Sequence, residues 1–94
     1  MSETAALTVR IPGLLRSYTR GASEVALERE LRTLDDALRE LDRRYPGLRF
    51  RIVDEQHRVR QHIKLFVDAR LVRDLATPIT DARELMIVGA LSGG

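Results

Sequence analysis

The chain contains no cysteine and no tryptophan. Without cysteine it can form no disulfide, offer no thiolate nucleophile and build no Cys-ligated zinc site, a usage that suits a reducing compartment. Phenylalanine and tyrosine number only two each, too few for a platform on which nucleic-acid bases could stack. Every basic residue is arginine except Lys64, so chains of this protein linked through its own lysines are disfavoured. No Gly-rich phosphate loop is present. No apolar run approaches the roughly 20 residues that span a bilayer, and Met-Ser-Glu-Thr-Ala-Ala carries no basic segment followed by an apolar stretch. The expectation is a soluble, cytoplasmic protein with no membrane partner.

Charge is abundant but nearly balanced, with 16 Lys and Arg against 14 Asp and Glu. Arg39, Arg43, Arg44, Arg49, Arg51, Arg58 and Arg60 cluster in sequence, with only Tyr45 and Phe50 as nearby aromatics. Such a cluster reads as a solvated face or a patch for an acidic protein, and no nucleic-acid partner is expected. Ninety-four residues make one domain, long enough to remove roughly 60–70% of the unfolded chain's surface from water.

Hydrophobic periodicity orders the elements. Leu7-Thr8-Val9-Arg10-Ile11 alternates like a half-buried strand and stops at Pro12-Gly13; Ser23 to Glu28 alternates again and can pair with it as a hairpin. From Thr33 to Tyr45, Leu34, Ala37, Leu38, Leu41 and Tyr45 recur at helical spacing. Thr33 with Asp36 makes a cap-like start, Arg43 and Arg44 complement the dipole at the far end, and Pro46-Gly47 stops the helix. Leu48 to Val53 reads as a short helical turn or packing segment, and Asp54 to Gln61 as a loop. His62 to Asp68 is the strongest strand, Leu71-Val72-Arg73 a short one and Leu85 to Val88 the last. One competing fold is locally permitted: Leu27, Leu31, Leu34, Leu38, Leu41 and Tyr45 form a heptad seam that a long-helix coiled-coil dimer would use.

After that last strand come Ala90, Leu91, Ser92, Gly93 and Gly94. Without Cβ atoms, a Gly-Gly end can be extended and thin enough to enter a narrow slot, carrying a carboxylate into a partner's active site. A frayed terminus looks the same, and the dipeptide alone leaves both readings open. The expected division is a domain over 1–89 and a flexible tail over 90–94. No side chain announces catalysis. His57 and His62 lie five apart with only Asp54 and Glu55 near them, so no metal site is expected. Asp35-Asp36 are explained by the helix dipole, and no His stands at a telling position for a Ser or Thr hydroxyl.

Strand hairpin, helix and three strands ending in Gly-Gly resemble the β-grasp of ubiquitin-like proteins. Val9-Arg10-Ile11-Pro12 with Leu14-Leu15-Arg16, Thr33-Leu34 with Leu38, Leu41 and Tyr45-Pro46-Gly47, His62 to Val67, Val72-Arg73 with Leu75, and Leu85 to Gly94 together resemble the MoaD/ThiS type of bacterial sulfur carriers. The Ile-Pro-x-Leu-Leu-Arg opening is most similar to the carriers of cysteine synthesis. The sequence departs from the family at Glu28 to Arg32, which leaves the start of the helix open. It departs again at Ala69 and Ala82, where turns commonly carry Gly; Ala tolerates positive φ poorly, so these turns adopt another type or carry strain.

The resemblance implies that the chain is a substrate rather than an enzyme. An E1-like adenylating enzyme uses ATP and Mg²⁺ to convert the terminal carboxylate, here that of Gly94, to an acyl-adenylate. Sulfur from a donor or sulfurtransferase then replaces AMP to give a thiocarboxylate. No cofactor is bound by the carrier itself. Gly93 supplies access, and Leu91 and Ser92 are tail contacts. The downstream partners are a sulfur-accepting synthase, dependent on pyridoxal phosphate in the cysteine case, and a peptidase. Monomer is the default state. Strand periodicity adds that Phe66 points away from the helix, as do Met86 and Val88, so these three would form an apolar partner-binding patch unless the chain's own loops cover them. Two other functions stay open: a protein modifier joined to lysines through Gly94, and an interaction module with incidental glycines.

Overall fold

The structure, a computed structural model, describes residues 6–28 and 30–89. Ala90, Leu91, Ser92, Gly93 and Gly94, on which the tail assignment falls, lie outside the described residues.

Strand β1 (Leu7–Arg10) buries Leu7 and Val9 and pairs antiparallel with β2 (Glu24–Leu27), which buries Val25 and Leu27. Between them, a 3-10 turn at Gly13–Leu15 places Leu15 in the core, held by Leu15 N–H to Pro12 O at 3.0 Å and Arg16 N–H to Gly13 O at 3.2 Å.

Helix α1 (Leu34–Arg44) starts where Thr33 caps it, which settles the question that the 28–32 stretch raised. The Thr33 hydroxyl accepts from Asp36 N–H at 3.2 Å while Asp36 Oδ2 accepts from Thr33 N–H at 3.1 Å, a complete capping box. The Leu34 and Asp35 N–H groups donate to Thr77 O and Leu75 O in the connection that crosses the helix start. The first-turn donors that a helix leaves unpaired are thereby satisfied. Leu34, Ala37, Leu38 and Leu41 are all fully buried. The coiled-coil alternative is excluded: Leu27 belongs to β2, and the described residues between it and Leu34 are not helical. The heptad spacing arises because a strand residue and a helix face point into one core.

Gly47, at a φ of 96°, turns the chain into the short helix α2 (Leu48–Ile52). Leu48 and Ile52 pack into the core, and the loop after α2 returns through a bridge between Val53 and Val59, so that Val59 anchors a segment that reads as a loop. Strand β3 (Ile63–Val67) buries Ile63, Leu65 and Val67, a two-residue turn leads to β4 (Arg70–Val72), and β5 (Glu84–Gly89) buries Leu85 and Ile87. The sheet order is β2-β1-β5-β3-β4, with β1 and β5 parallel at its centre and the other pairs antiparallel. One face packs on α1. This is the β-grasp that the element order predicts, and it sets β5, the strand leading to residue 90, in the middle of the sheet.

Candidate functional site

The sheet face turned away from α1 carries one continuous cross-strand row. Leu71 on β4 lies opposite Phe66 on β3, Phe66 opposite Met86 on β5, Met86 beside Arg10 on β1, and Arg10 opposite Glu24 on β2. Val88 is two residues beyond Met86 on the same face and pairs with Lys64. The structure thus brings together the three patch residues named from sequence, with Phe66 and Met86 half-buried and Val88 37% exposed.

A fourth member escapes a reading by periodicity. Leu71, at 55% exposure, is the most open large apolar side chain among the described residues. Its three-residue strand is too short to show alternation. The signal that finds it is the two-residue turn at Asp68-Ala69: pairing Val67 with Arg70 forces Leu71 opposite Phe66, on the same face.

The polar end of the row is fixed by Arg10. Its guanidinium donates to Glu24 at 2.6 Å and to Glu84, and these carboxylates, Glu84 first, hold its pKa above the ordinary arginine value. Lys64 is exposed beside Val88. The face therefore runs from an apolar side at β4 and β3 to a charged side at β1 and β2.

Where β5 ends, a second feature appears. A Cβ built on Gly89 would stand 2.3 Å from Leu14 Cδ2, 3.2 Å from Leu14 Cγ and 3.6 Å from Ile63 Cδ1. Gly89 continues the inward alternation of Leu85 and Ile87, and Leu14 fills the space that its side chain would take. Leu14 is 37% exposed, so it covers the strand end from outside the core.

The other constellations serve structure. Asp35 accepts from Arg39 at 2.8 Å and from Arg49 at 2.7 Å, and Glu40 pairs with Arg43 at 2.7 Å and Arg44 at 3.2 Å. Arg44 also donates to Ala26 O, and Arg60 donates to Phe50 O while its guanidinium lies 4.6 Å from that ring's centre. Much of the arginine cluster is thus spent on the chain itself. His57 is exposed and His62 half-buried in an open depression shared with Asp54, Arg58, Arg73 and Asp74. Among the described residues no three of His, Asp and Glu are placed to hold a metal ion, and no helix is long and apolar enough to cross a membrane.

Comparison with known proteins places this geometry. The model of the ThiS family matches residues 9–94. Mycobacterium tuberculosis CysO is 29% identical over 90% of this chain and 99% of its own, with a TM-score of 0.79. A chain of the Amycolatopsis orientalis BexX/CysO complex is also 29% identical, over 95% of this chain and 100% of that one, with a TM-score of 0.82. The small archaeal modifier protein SAMP1 of Methanosarcina acetivorans is 26% identical over 99% of this chain and 100% of its own, with a TM-score of 0.73. No curated protein sequence matches the chain.

Proposed function

Because the chain belongs to the ThiS family and has the β-grasp of the ubiquitin-like sulfur carriers, we propose that its Gly94 carboxylate is activated and carries sulfide. The observation that bears most weight is the extent of the family match, which runs through the last residue and so includes Gly93-Gly94.

The chemistry follows from what a carboxylate lacks. It is a poor electrophile until an oxygen is made a leaving group. A partner adenylating enzyme with ATP and Mg²⁺ joins the Gly94 carboxylate to the α-phosphate and releases pyrophosphate. Sulfide then attacks the acyl carbon, AMP departs, and the thiocarboxylate remains. In this reading the chain is a co-substrate, and its own residues contribute access and recognition. Gly93 and Gly94 pass where a side chain would collide, Leu91 and Ser92 make tail contacts, and the row of Leu71, Phe66 and Met86 with Val88 is the docking face. That a CysO occurs in a complex with BexX supports partner binding by this fold, and the CysO likeness favours an acceptor in cysteine synthesis. A cytoplasmic setting accords with the absence of cysteine.

A second reading has its own support in the likeness to a small archaeal modifier: the same activation, followed by transfer of Gly94 to lysines of other proteins. Intact mass separates the two. Incubated with ATP, Mg²⁺, sulfide and the activating enzyme of its organism, the chain is expected to gain the mass difference between sulfur and oxygen. Removal of Gly94 should abolish the gain. The absence of cysteine keeps a persulfide on the chain from imitating the product. No gain with an enzyme shown to be competent overturns the carrier reading, and target conjugates in place of the gain favour the modifier.

A further inference from the structure

The arginines that cluster in sequence fall into two groups in the structure. Arg39 and Arg49 pair with Asp35, and Arg43 and Arg44 with Glu40. Arg51, Arg58 and Arg60 form no ion pair with a carboxylate among the described residues. Arg60 is held in place all the same. Its N–H donates to Ile52 O at 2.9 Å, its Nε donates to Phe50 O at 2.8 Å, and its guanidinium stands over the Phe50 ring, 4.6 Å from the centre. Its two terminal nitrogens have no acceptor among the described residues. The ring beneath belongs to a residue that is 54% exposed. An arginine fixed at its stem and over one face has already lost much of the rotamer freedom that binding costs, and its open fork matches a carboxylate bidentately. Phe50 stands on α2, which packs against α1 through its buried side, so this surface is separate from the outer face of the sheet.

We propose that Phe50 and Arg60, with Arg51 and Arg58 as flanking cations, form a second interaction surface whose partner is an acidic protein segment. A carboxylate of the segment takes the Arg60 fork, and an apolar side chain covers the open part of the Phe50 ring. Aromatic residues and arginine are the types that concentrate binding energy at protein interfaces. Charge decides the class of partner. Asp54 and Asp74 line the same open depression as Arg58 and Arg60. Both are fixed by the turns they belong to: Asp54 accepts from the N–H groups of Gln56 at 2.8 Å and Arg58 at 3.0 Å, and Asp74 from that of Ala76 at 2.9 Å. Such anchored carboxylates repel a continuous phosphate backbone. Phe50 is also the one aromatic among the exposed large apolar side chains of the described residues, where single-stranded nucleic acid stacks on several. Separate carboxylates on a protein segment can meet Arg60 and Arg58 and stay clear of both aspartates. The inference does not depend on the carrier reading, because no step of it involves the terminal carboxylate.

The test is an NMR titration of the isotope-labelled full chain at about 0.15 M salt. One arm uses a capped peptide of glutamates around a single leucine, and the other an oligothymidylate of equal charge. The peptide is expected to shift the amides of residues 50–60 and the Arg60 Nε–H. Arg60→Lys keeps the charge and loses the fork, and should weaken binding about fivefold. Phe50→Ala should weaken it by a similar factor. Neither change touches the buried Leu48, Ile52 or Val59, so each variant should keep the wild-type Tm. Arg70→Gln is the control: it removes one exposed charge at the end of β4 away from the depression and should leave affinity within about twofold. Wild-type affinity in Arg60→Lys overturns the inference, as does a loss no larger than that in Arg70→Gln, which would leave general attraction alone. Shifts centred on Phe66 and Met86, no binding of the peptide, or tighter binding of the oligothymidylate overturn it as well, the last in favour of a nucleic acid.

Discussion

Ala69 takes a φ of 72° and Asp68 before it one of 49°. Positive φ at both central residues of a two-residue hairpin is the type I′ pattern, which matches the twist of the flanking strands and favours Asn or Asp followed by Gly. Asp68 suits its place. Its N–H donates to Glu84 O, and its Oδ1 accepts from the N–H groups of Arg83 and Glu84, each at 3.0 Å, which ties the turn to the start of β5. Ala69 has no such compensation, and a Cβ in this region costs about 1–2 kcal/mol. Of the two alanines that stand where the family tends to carry Gly, this one bears the strain, whereas Ala82 is not among the residues of positive φ. Ala69→Gly is therefore expected to stabilise the protein by about 0.5–1 kcal/mol after the extra chain entropy of glycine is counted. Thermal unfolding should show a Tm higher by a few degrees, and an unchanged or lower Tm would mean that the turn relaxes to another type.

Helix α1 shows how an element is held at its ends. The Asp36 carboxyl lies below its ordinary pKa, first because the Arg32 N–H donates to it and then because the Thr33 N–H does. For Asp35 burial is the largest single influence and acts upward, but the hydrogen bonds and charges of Arg39 and Arg49 together outweigh it and leave the pKa lowered. A carboxyl with a folded pKa below its unfolded one contributes stability that is complete above about pH 4 and is lost as pH falls through the folded value. The protein should consequently lose Tm steeply on acidification below about pH 4. Asp36→Asn should start lower at pH 7 and lose less, so that the two curves converge in acid. Parallel curves would show that the capping carboxylate is not what the acid removes. The same helix was legible in the sequence because its signals are local: Thr33 with Asp36, leucines at helical spacing, and Pro46-Gly47. Its exact start was not legible from Glu28 to Arg32, since the connection that satisfies its first donors comes from residues 75–79.

At the scale of the whole molecule, the sheet divides labour between its faces. The inner face and α1 hold the core, and the outer face is free to recognise a partner with the row of Leu71, Phe66 and Met86. Leu71→Glu should barely move Tm, because surface substitutions usually stay within about 0.5 kcal/mol. If the row docks the activating enzyme, the same change should raise KM for the carrier about tenfold with kcat nearly intact. An unchanged KM would send the search for the docking face elsewhere, with the exposed Phe50 and its arginines next in line.

Alternation and helical spacing in the sequence were enough to place β1, β3 and β5, the main helix and the faces of β3 and β5, because each is a local pattern with a single period. The terminal Gly-Gly was equally plain as a stretch of chain. Sequence left undecided whether Leu27 continued the heptad of Leu34 or belonged to a strand, since both arrangements bury the same leucines; pairing with β1 decided it. Leu71 joined the outer row only through the register set by a two-residue turn, and Leu14 met Gly89 only because the fold brings the turn after β1 to the end of β5. Leu14 and Gly89 lie far apart in the chain. Periodicity says which way a side chain faces, and only the tertiary structure says what it faces.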